Sequence, residues 1–135
     1  MATSLTPSLA PTLAVALGGA AGAVLRYHAG LAAARIAGPA SAFPWGTLAV
    51  NVIGSIAMGA LMGWLARHGE GHETLRLALG VGLLGGFTTF SAFSAELVVM
   101  LQRGQVLVAV GYGAISIAAG MAGLLIAFAA LEGAR

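Results

Sequence analysis

The chain has 135 residues, of which 59% are apolar and only 7% charged, against about 25% charged in an average soluble domain. Its net charge of +2 comes from six Arg and four Glu, with no Lys and no Asp, so an isoelectric point near 10.0 reflects scarcity of charge rather than a basic face for nucleic acid. Absence of Cys excludes disulfides, Cys-ligated zinc and thiol nucleophiles, and a mean hydropathy of +0.98 leaves one class open, a small integral membrane protein.

Residues 1–12, with Pro7 and Pro11, read as a short disordered tail. A secretory signal is not expected there, because no basic segment precedes the apolar run and Arg26 and His28 interrupt it. Four hydrophobic spans follow, each long enough to cross about 30 Å of hydrocarbon, which takes roughly 20 helical residues. The first covers 13–34. The second covers 46–66, after a loop broken by Gly38-Pro39. The third covers 77–101, after the polar stretch 67–76, and the short turn Gln102-Arg103-Gly104 joins it to the fourth, 105–131. The expectation is an all-α membrane protein in which residues 1–135 form one four-helix domain.

Arg residues divide almost evenly between the two sides of the bilayer. Arg67, Arg76 and Arg135 share one side; Arg35 and Arg103 share the other, with Arg26 just inside the first span. The positive-inside rule therefore selects no orientation. Either the short loops make the count uninformative, or the chain inserts both ways round, which would allow an antiparallel homodimer.

Small residues recur at spacing four on three spans: Ala14, Gly18, Gly22 and Gly30 with Arg26 on the first, Thr47, Asn51, Ser55, Gly59 and Gly63 on the second, and Tyr112, Ser116 and Gly120 on the fourth. Such ridges let membrane helices approach closely without a hydrophobic driving force between them.

The run Gly85-Gly86-Phe87-Thr88-Thr89-Phe90-Ser91 interrupts the third span, whose midpoint falls at Thr89. Paired Gly and β-branched Thr weaken a helix there, and carbonyls left without intrahelical partners in hydrocarbon need protein, water or an ion. This stretch reads as a mid-membrane ion site of the kind broken helices form, or as a kink in which Thr hydroxyls bond back to carbonyls. Phe87, Phe90 and Phe93 recur every three residues beside it; they are packing rings, or rings whose positive edges face an anion. Asn51 is interhelical glue or a neutral N–H donor, and Tyr112 and Ser116 offer a similar donor face. Arg26 and Glu96 are the formally charged residues well inside spans. Each costs roughly 3 kcal/mol at a helix centre, so neither should face lipid; they pair, or line an aqueous vestibule, or Arg26 merely snorkels toward the end of its helix.

His68 and His72 flank Gly69 and Gly71 and read as solvated loop residues, and with His28 they make no metal site. No nucleophile–base pair, phosphate loop or paired carboxylate is present, so the chain is not expected to be an enzyme.

Four pieces of this sequence resemble the Fluc/CrcB fluoride-channel family. They are Gly18-Gly19-Ala20-Ala21-Gly22-Ala23 leading to Arg26-Tyr27; Gly46-Thr47-Leu48 with Asn51 and Gly54-Ser55; the run from Gly85 through Ser91-Ala92-Phe93; and Tyr112 with Ser116. The resemblance spans nearly all of the chain after the tail, and the Gly-Gly-Phe-Thr-Thr-Phe-Ser run is its most specific part. Where the family often has Thr, this chain has Ala92.

The resemblance implies an antiparallel, dual-topology homodimer whose third helix is broken. It implies two pores that let trapped cytoplasmic fluoride out passively across the cell (inner) membrane. Phe90 and Phe93 would line the pores, Asn51 would be the amide donor, and Thr47, Thr89, Ser91, Tyr112 and Ser116 would supply hydroxyls. Arg26 and Glu96 would lie near the mouths. A structural sodium ion would sit on the dimer axis, held by the backbone carbonyls of Gly85 and Thr88 from both chains. The alternative is a small dual-topology drug-efflux transporter, also of four helices. That class depends on a membrane-embedded Glu in its first helix, where this chain carries Arg26. A non-conducting accessory subunit would account for the packing ridges but not for the break.

Overall fold

The computed structural model describes residues 9–38, 41–69 and 71–133. Residues 1–8 of the expected tail, Pro39 of the expected loop break and Arg135 of the charge count lie outside it. Six helical segments follow in order: α1 (Leu9–Ala37), α2 (Trp45–His68), α3 (Glu73–Leu75), α4 (Gly85–Phe87), α5 (Phe90–Gln102) and α6 (Val106–Glu132), with a π-helical stretch, Arg76–Leu84, between α3 and α4. Four helices are long and apolar enough to cross a membrane: α1, α2, the composite Glu73–Gln102, and α6.

Residues 9–12 are helical, which corrects the expected tail at its C-terminal end. Pro11 lies in the first turn of α1, where the missing N–H would have had no intrahelical acceptor. The four long helices end at Ala37, His68, Gln102 and Glu132, each slightly past its expected end, because solvated polar residues can prolong a helix beyond the hydrocarbon. Thus α2 carries Arg67 and His68 in its last turn. His68 is accordingly helical rather than a loop residue: its Nδ1 lies 2.7 Å from the Trp64 carbonyl, and its ring stacks on that indole at 4.2 Å. The turn into α6 is tight, with the Gln105 N–H on the Met100 carbonyl at 2.9 Å.

The largest helix pairing is α2 with α6; α1 packs on the π-helical stretch and on α4. Both contacts run along the small-residue ridges. A Cβ on Gly59 would collide with the backbone carbonyl of Leu124 on α6, and one on Gly22 with that of Leu83 in the π-helical stretch. Ser55 faces Gly120 across the α2–α6 contact. Backbone approach, not side-chain bulk, therefore builds this fold.

The buried core is small: Phe93, Met100, Ala109 and Tyr112 form one cluster with Phe43, Leu48 and Leu97 packed against it, and Val50 is buried as well. Leu17, Leu107 and Ile126 lie on largely exposed outer faces, as helices in lipid present them.

The π-helical stretch was not legible in the sequence. Its wider turn appears in the Gly85 N–H, which bonds the Gly80 carbonyl five residues back. Gly80 and Gly82, both buried there, offer no side chain to resist that widening.

Candidate functional site

The regular backbone stops at Phe87 and restarts at Phe90. Thr88 (φ −81°, ψ 162°) and Thr89 (φ −152°, ψ 121°) are extended between α4 and α5. Local chemistry closes both ends. The Thr88 N–H and hydroxyl both donate to the Leu84 carbonyl, at 3.0 and 2.9 Å. The Thr89 hydroxyl accepts the Ala92 N–H at 3.2 Å, an N-cap for α5, and stands 3.3 Å from the Ser91 hydroxyl.

Asn51, on α2, meets the gap side-on. Its Oδ1 accepts the Thr89 N–H at 2.8 Å, and its Nδ2 donates to the Thr89 carbonyl at 3.0 Å. In a continuous helix the Thr89 N–H would go to the Gly85 carbonyl four residues back, so the amide takes over that donor. A cleft of about 290 Å³ opens here, lined by Asn51, Ser55, Thr88, Thr89 and Phe90 among others.

One helical turn along α2 from Asn51, Thr47 begins a second polar group. Its hydroxyl donates to Glu96 Oε1 at 2.6 Å, and the Tyr112 hydroxyl donates to Oε2 at 2.7 Å. Glu96 is thus bonded between α2 and α6 rather than paired with Arg26. The carboxyl group inside the span is satisfied by two short hydroxyl bonds, which offsets part of its insertion cost.

Arg26 lines a separate open cleft of about 320 Å³ with Tyr27, Thr47, Thr89 and Ala92. Among the described residues Arg76 pairs with Glu73, at 3.6 Å.

Five aromatic rings run in sequence along this region. Trp45 meets Phe43 at 4.5 Å, Phe43 meets Tyr112 edge-on at 5.4 Å, Tyr112 meets Phe93 at 5.1 Å, and Phe93 meets Phe90 at 5.9 Å. Phe93 is buried, whereas Phe90 is 80% exposed in the single chain. Ser116 contributes a buried hydroxyl oxygen without a hydrogen-bond partner.

The structure therefore brings Asn51, Thr88, Thr89 and Phe90 together at the gap, and Thr47, Glu96, Tyr112 and Phe93 together beside it. Ser91 touches the first group through Thr89; Gly85 lies on α4 one turn before the gap. Phe43 was missed, because a ring in a loop belongs to no helical stripe, although its place just ahead of Pro44 and Trp45 was a signal. The engagement of Glu96 was missed because its partners come from two other helices.

Comparison with known proteins identifies the family. The family model described as CrcB-like protein, Camphor Resistance (CrcB), matches residues 13–128. The fluoride-specific ion channel FluC of Novosphingobium aromaticivorans is 57% identical over 122 residues, 90% of this chain and 96% of that one. Proteins of the same name from Hyphomonas neptunium and Caulobacter vibrioides are each 51% identical, over 115 and 120 residues. They cover 84% and 85% of this chain and 89% and 93% of their own lengths. These relatives are named as ion channels, not enzymes, and with the family match over nearly the whole of its four spans, this chain belongs to the CrcB family.

Proposed function

We propose that this chain forms a passive fluoride channel of the cell (inner) membrane, working as an antiparallel homodimer with two pores. The observation that carries this reading is the gap at Thr88 and Thr89, surrounded by neutral polar groups, in a chain 57% identical to a protein named as a fluoride-specific channel. Fluoride sheds its water only where other donors replace it, and neutral donors hold it weakly enough to release it. Candidate donors are the second N–H of Asn51, the hydroxyls of Thr89, Ser91 and Ser116, and the ring edges of Phe90 and Phe93. The unpartnered Ser116 oxygen supports this, since a buried hydroxyl without a partner is costly unless something visits it.

The protons of Thr47 and Tyr112 are already directed at Glu96. An anion following that track competes with a carboxyl group for them. Arg26, with its own open cleft, fits a mouth, where a cation attracts anions without trapping them.

A second copy accounts for the exposure of Phe90, a large ring beside a mid-span gap. With the two copies antiparallel, the two-fold axis lies in the membrane plane at the depth of the gap. The carbonyls of Gly85 and Thr88 from both chains would then converge, and a sodium ion suits four such oxygens, whose dipoles otherwise repel. Asn51 supports this by drawing off the Thr89 N–H that Gly85 would otherwise accept. Sodium would supply charge balance and rigidity there rather than permeate.

The test is efflux of fluoride from liposomes holding the purified protein, read with a fluoride electrode. Fluoride-selective efflux over chloride is expected, and its absence from folded protein would overturn the reading.

A further inference from the structure

Asn51 carries a role that its placement in a pore does not account for. An isolated polar side chain beside an ion path needs one donor aimed at the ion. Asn51 instead spends both ends of its amide on one peptide neighbour: Oδ1 on the Thr89 N–H at 2.8 Å and Nδ2 on the Thr89 carbonyl at 3.0 Å. Thr89 is the extended residue from which α5 departs. A side-chain amide matches such a pair because it holds one acceptor and a donor in the same plane. A carboxylate has acceptors only, and an aliphatic side chain has neither. In hydrocarbon the Thr89 N–H cannot turn to water, so without this partner the chain would re-form the helix or leave that donor unpaired.

We infer that Asn51 is a positioning residue, which holds the third helix open by taking the Thr89 N–H in place of the helix's own acceptor and adding a bond to the Thr89 carbonyl, and that it acts on conduction through the gap it maintains. The inference rests on the channel reading for its consequence but not for its geometry. Three groups depend on the gap staying open: the Thr89 hydroxyl that caps α5, the Ser91 hydroxyl beside it, and the Phe90 ring. Thr47, one turn along the same helix, is the hydroxyl that reaches Glu96. The clamp therefore ties the register of α5 to that of α2 and the polar track to the gap.

Asn51→Asp tests this, because its effect changes with protonation. The ionised carboxylate still accepts the Thr89 N–H but faces the Thr89 carbonyl oxygen with a second acceptor. Once protonated, the carboxyl group again offers one donor and one acceptor in the amide's arrangement. Two measurements on the purified full-length protein apply. In the first, backbone hydrogen exchange is compared with wild type at the same neutral pH. The Thr89 amide is expected to exchange about tenfold faster in Asn51→Ala, which offers it no acceptor, with amides of α1 and α6 unchanged.

The second measurement is fluoride efflux of Asn51→Asp relative to wild type, followed from about pH 7.5 to about pH 5.5, since burial in the span favours the neutral carboxyl group and brings its protonation above the usual range for Asp. Efflux is expected to be low at the upper end and to recover toward wild type at the lower end. Glu96, bonded to Thr47, and Arg26, in the same cleft as Thr89, are present in both proteins, so their contribution is common to the two. Asn51→Ala, which cannot be rescued by protons, should stay low throughout.

Lost efflux with unchanged exchange at Thr89 would overturn the inference, placing Asn51 on the ion itself. Faster exchange across the whole molecule would also overturn it, as would normal efflux at neutral pH. If wild type fails to conduct fluoride at all, the channel reading fails, while the exchange measurement still decides the clamp.

Discussion

Single residues show how far chemistry can be placed by type alone. Glu96 and Arg26 stood out in the sequence because a formal charge inside a span must be accounted for. What engages Glu96 was not legible, because Thr47 and Tyr112 lie 49 and 16 residues away along the chain. That network gives a direct expectation. Tyr112→Phe keeps the ring against Phe93 and Phe43 but leaves Glu96 Oε2 without its hydroxyl partner. Stability should fall by about 1–3 kcal/mol, read as a lower melting temperature of the detergent-solubilised protein, and efflux should fall with it. An unchanged melting temperature would show that the Tyr112 bond contributes nothing. The two Phe rings should separate in the same assays. Phe93→Ile removes a buried ring from the Tyr112 contact and should lower both stability and efflux. Phe90→Ile alters an exposed ring and should lower efflux while the single chain's own packing is kept.

Helices are the scale at which the sequence spoke most clearly. Four long apolar helices overlap the four stretches that hydropathy picks out, since about 20 apolar residues have few other uses, and the small-residue ridges of α1 and α2 face neighbouring backbone at Gly18, Gly22, Gly59 and Gly63. Boundaries were less legible: polar residues such as Arg67 and His68 can prolong a helix or start a loop with nearly equal ease. The π-helical stretch left no composition signal at all, because its glycines serve packing equally well in either geometry. Close approach makes the α2–α6 contact intolerant. Gly59→Val would push a side chain into the Leu124 carbonyl, where no rotamer relieves the contact. The expected cost is about 1–3 kcal/mol or more, seen as loss of a monodisperse peak in size-exclusion chromatography. Gly30→Ala, with open space around its Cβ position, should leave that peak unchanged. At the gap, the proposed cation gives a separate expectation: a high-resolution map should show density among the Gly85 and Thr88 carbonyls. Water geometry there, or no density, would remove sodium from the reading.

For the whole molecule, the decisive question is what covers the faces that one chain leaves open. A single protomer buries few large side chains and exposes Phe90 to 80% of its surface beside the gap. Lipid could cover Leu107 or Ile126 without consequence. It cannot satisfy the polar groups that lie with Phe90 in the cleft formed by Asn51, Ser55 and Thr89, because hydrocarbon supplies no hydrogen bonds. A second copy can, and the near-even division of Arg across the bilayer removes the usual obstacle to its arriving inverted. The prediction follows from charge rather than from contact. Fusing paired reporters to the C-terminus, one active only outside the membrane and one only in the cytoplasm, should give comparable signal from both. Adding Arg residues to the loop between the third and fourth spans, around Arg103, should tip the count and leave one reporter silent. Efflux should then collapse, since a population of one orientation cannot form antiparallel pairs. Co-expression with a chain biased the opposite way, by Arg residues added near Arg67, should restore it. Signal from a single side in the unaltered protein, with efflux intact, would rule out the antiparallel dimer.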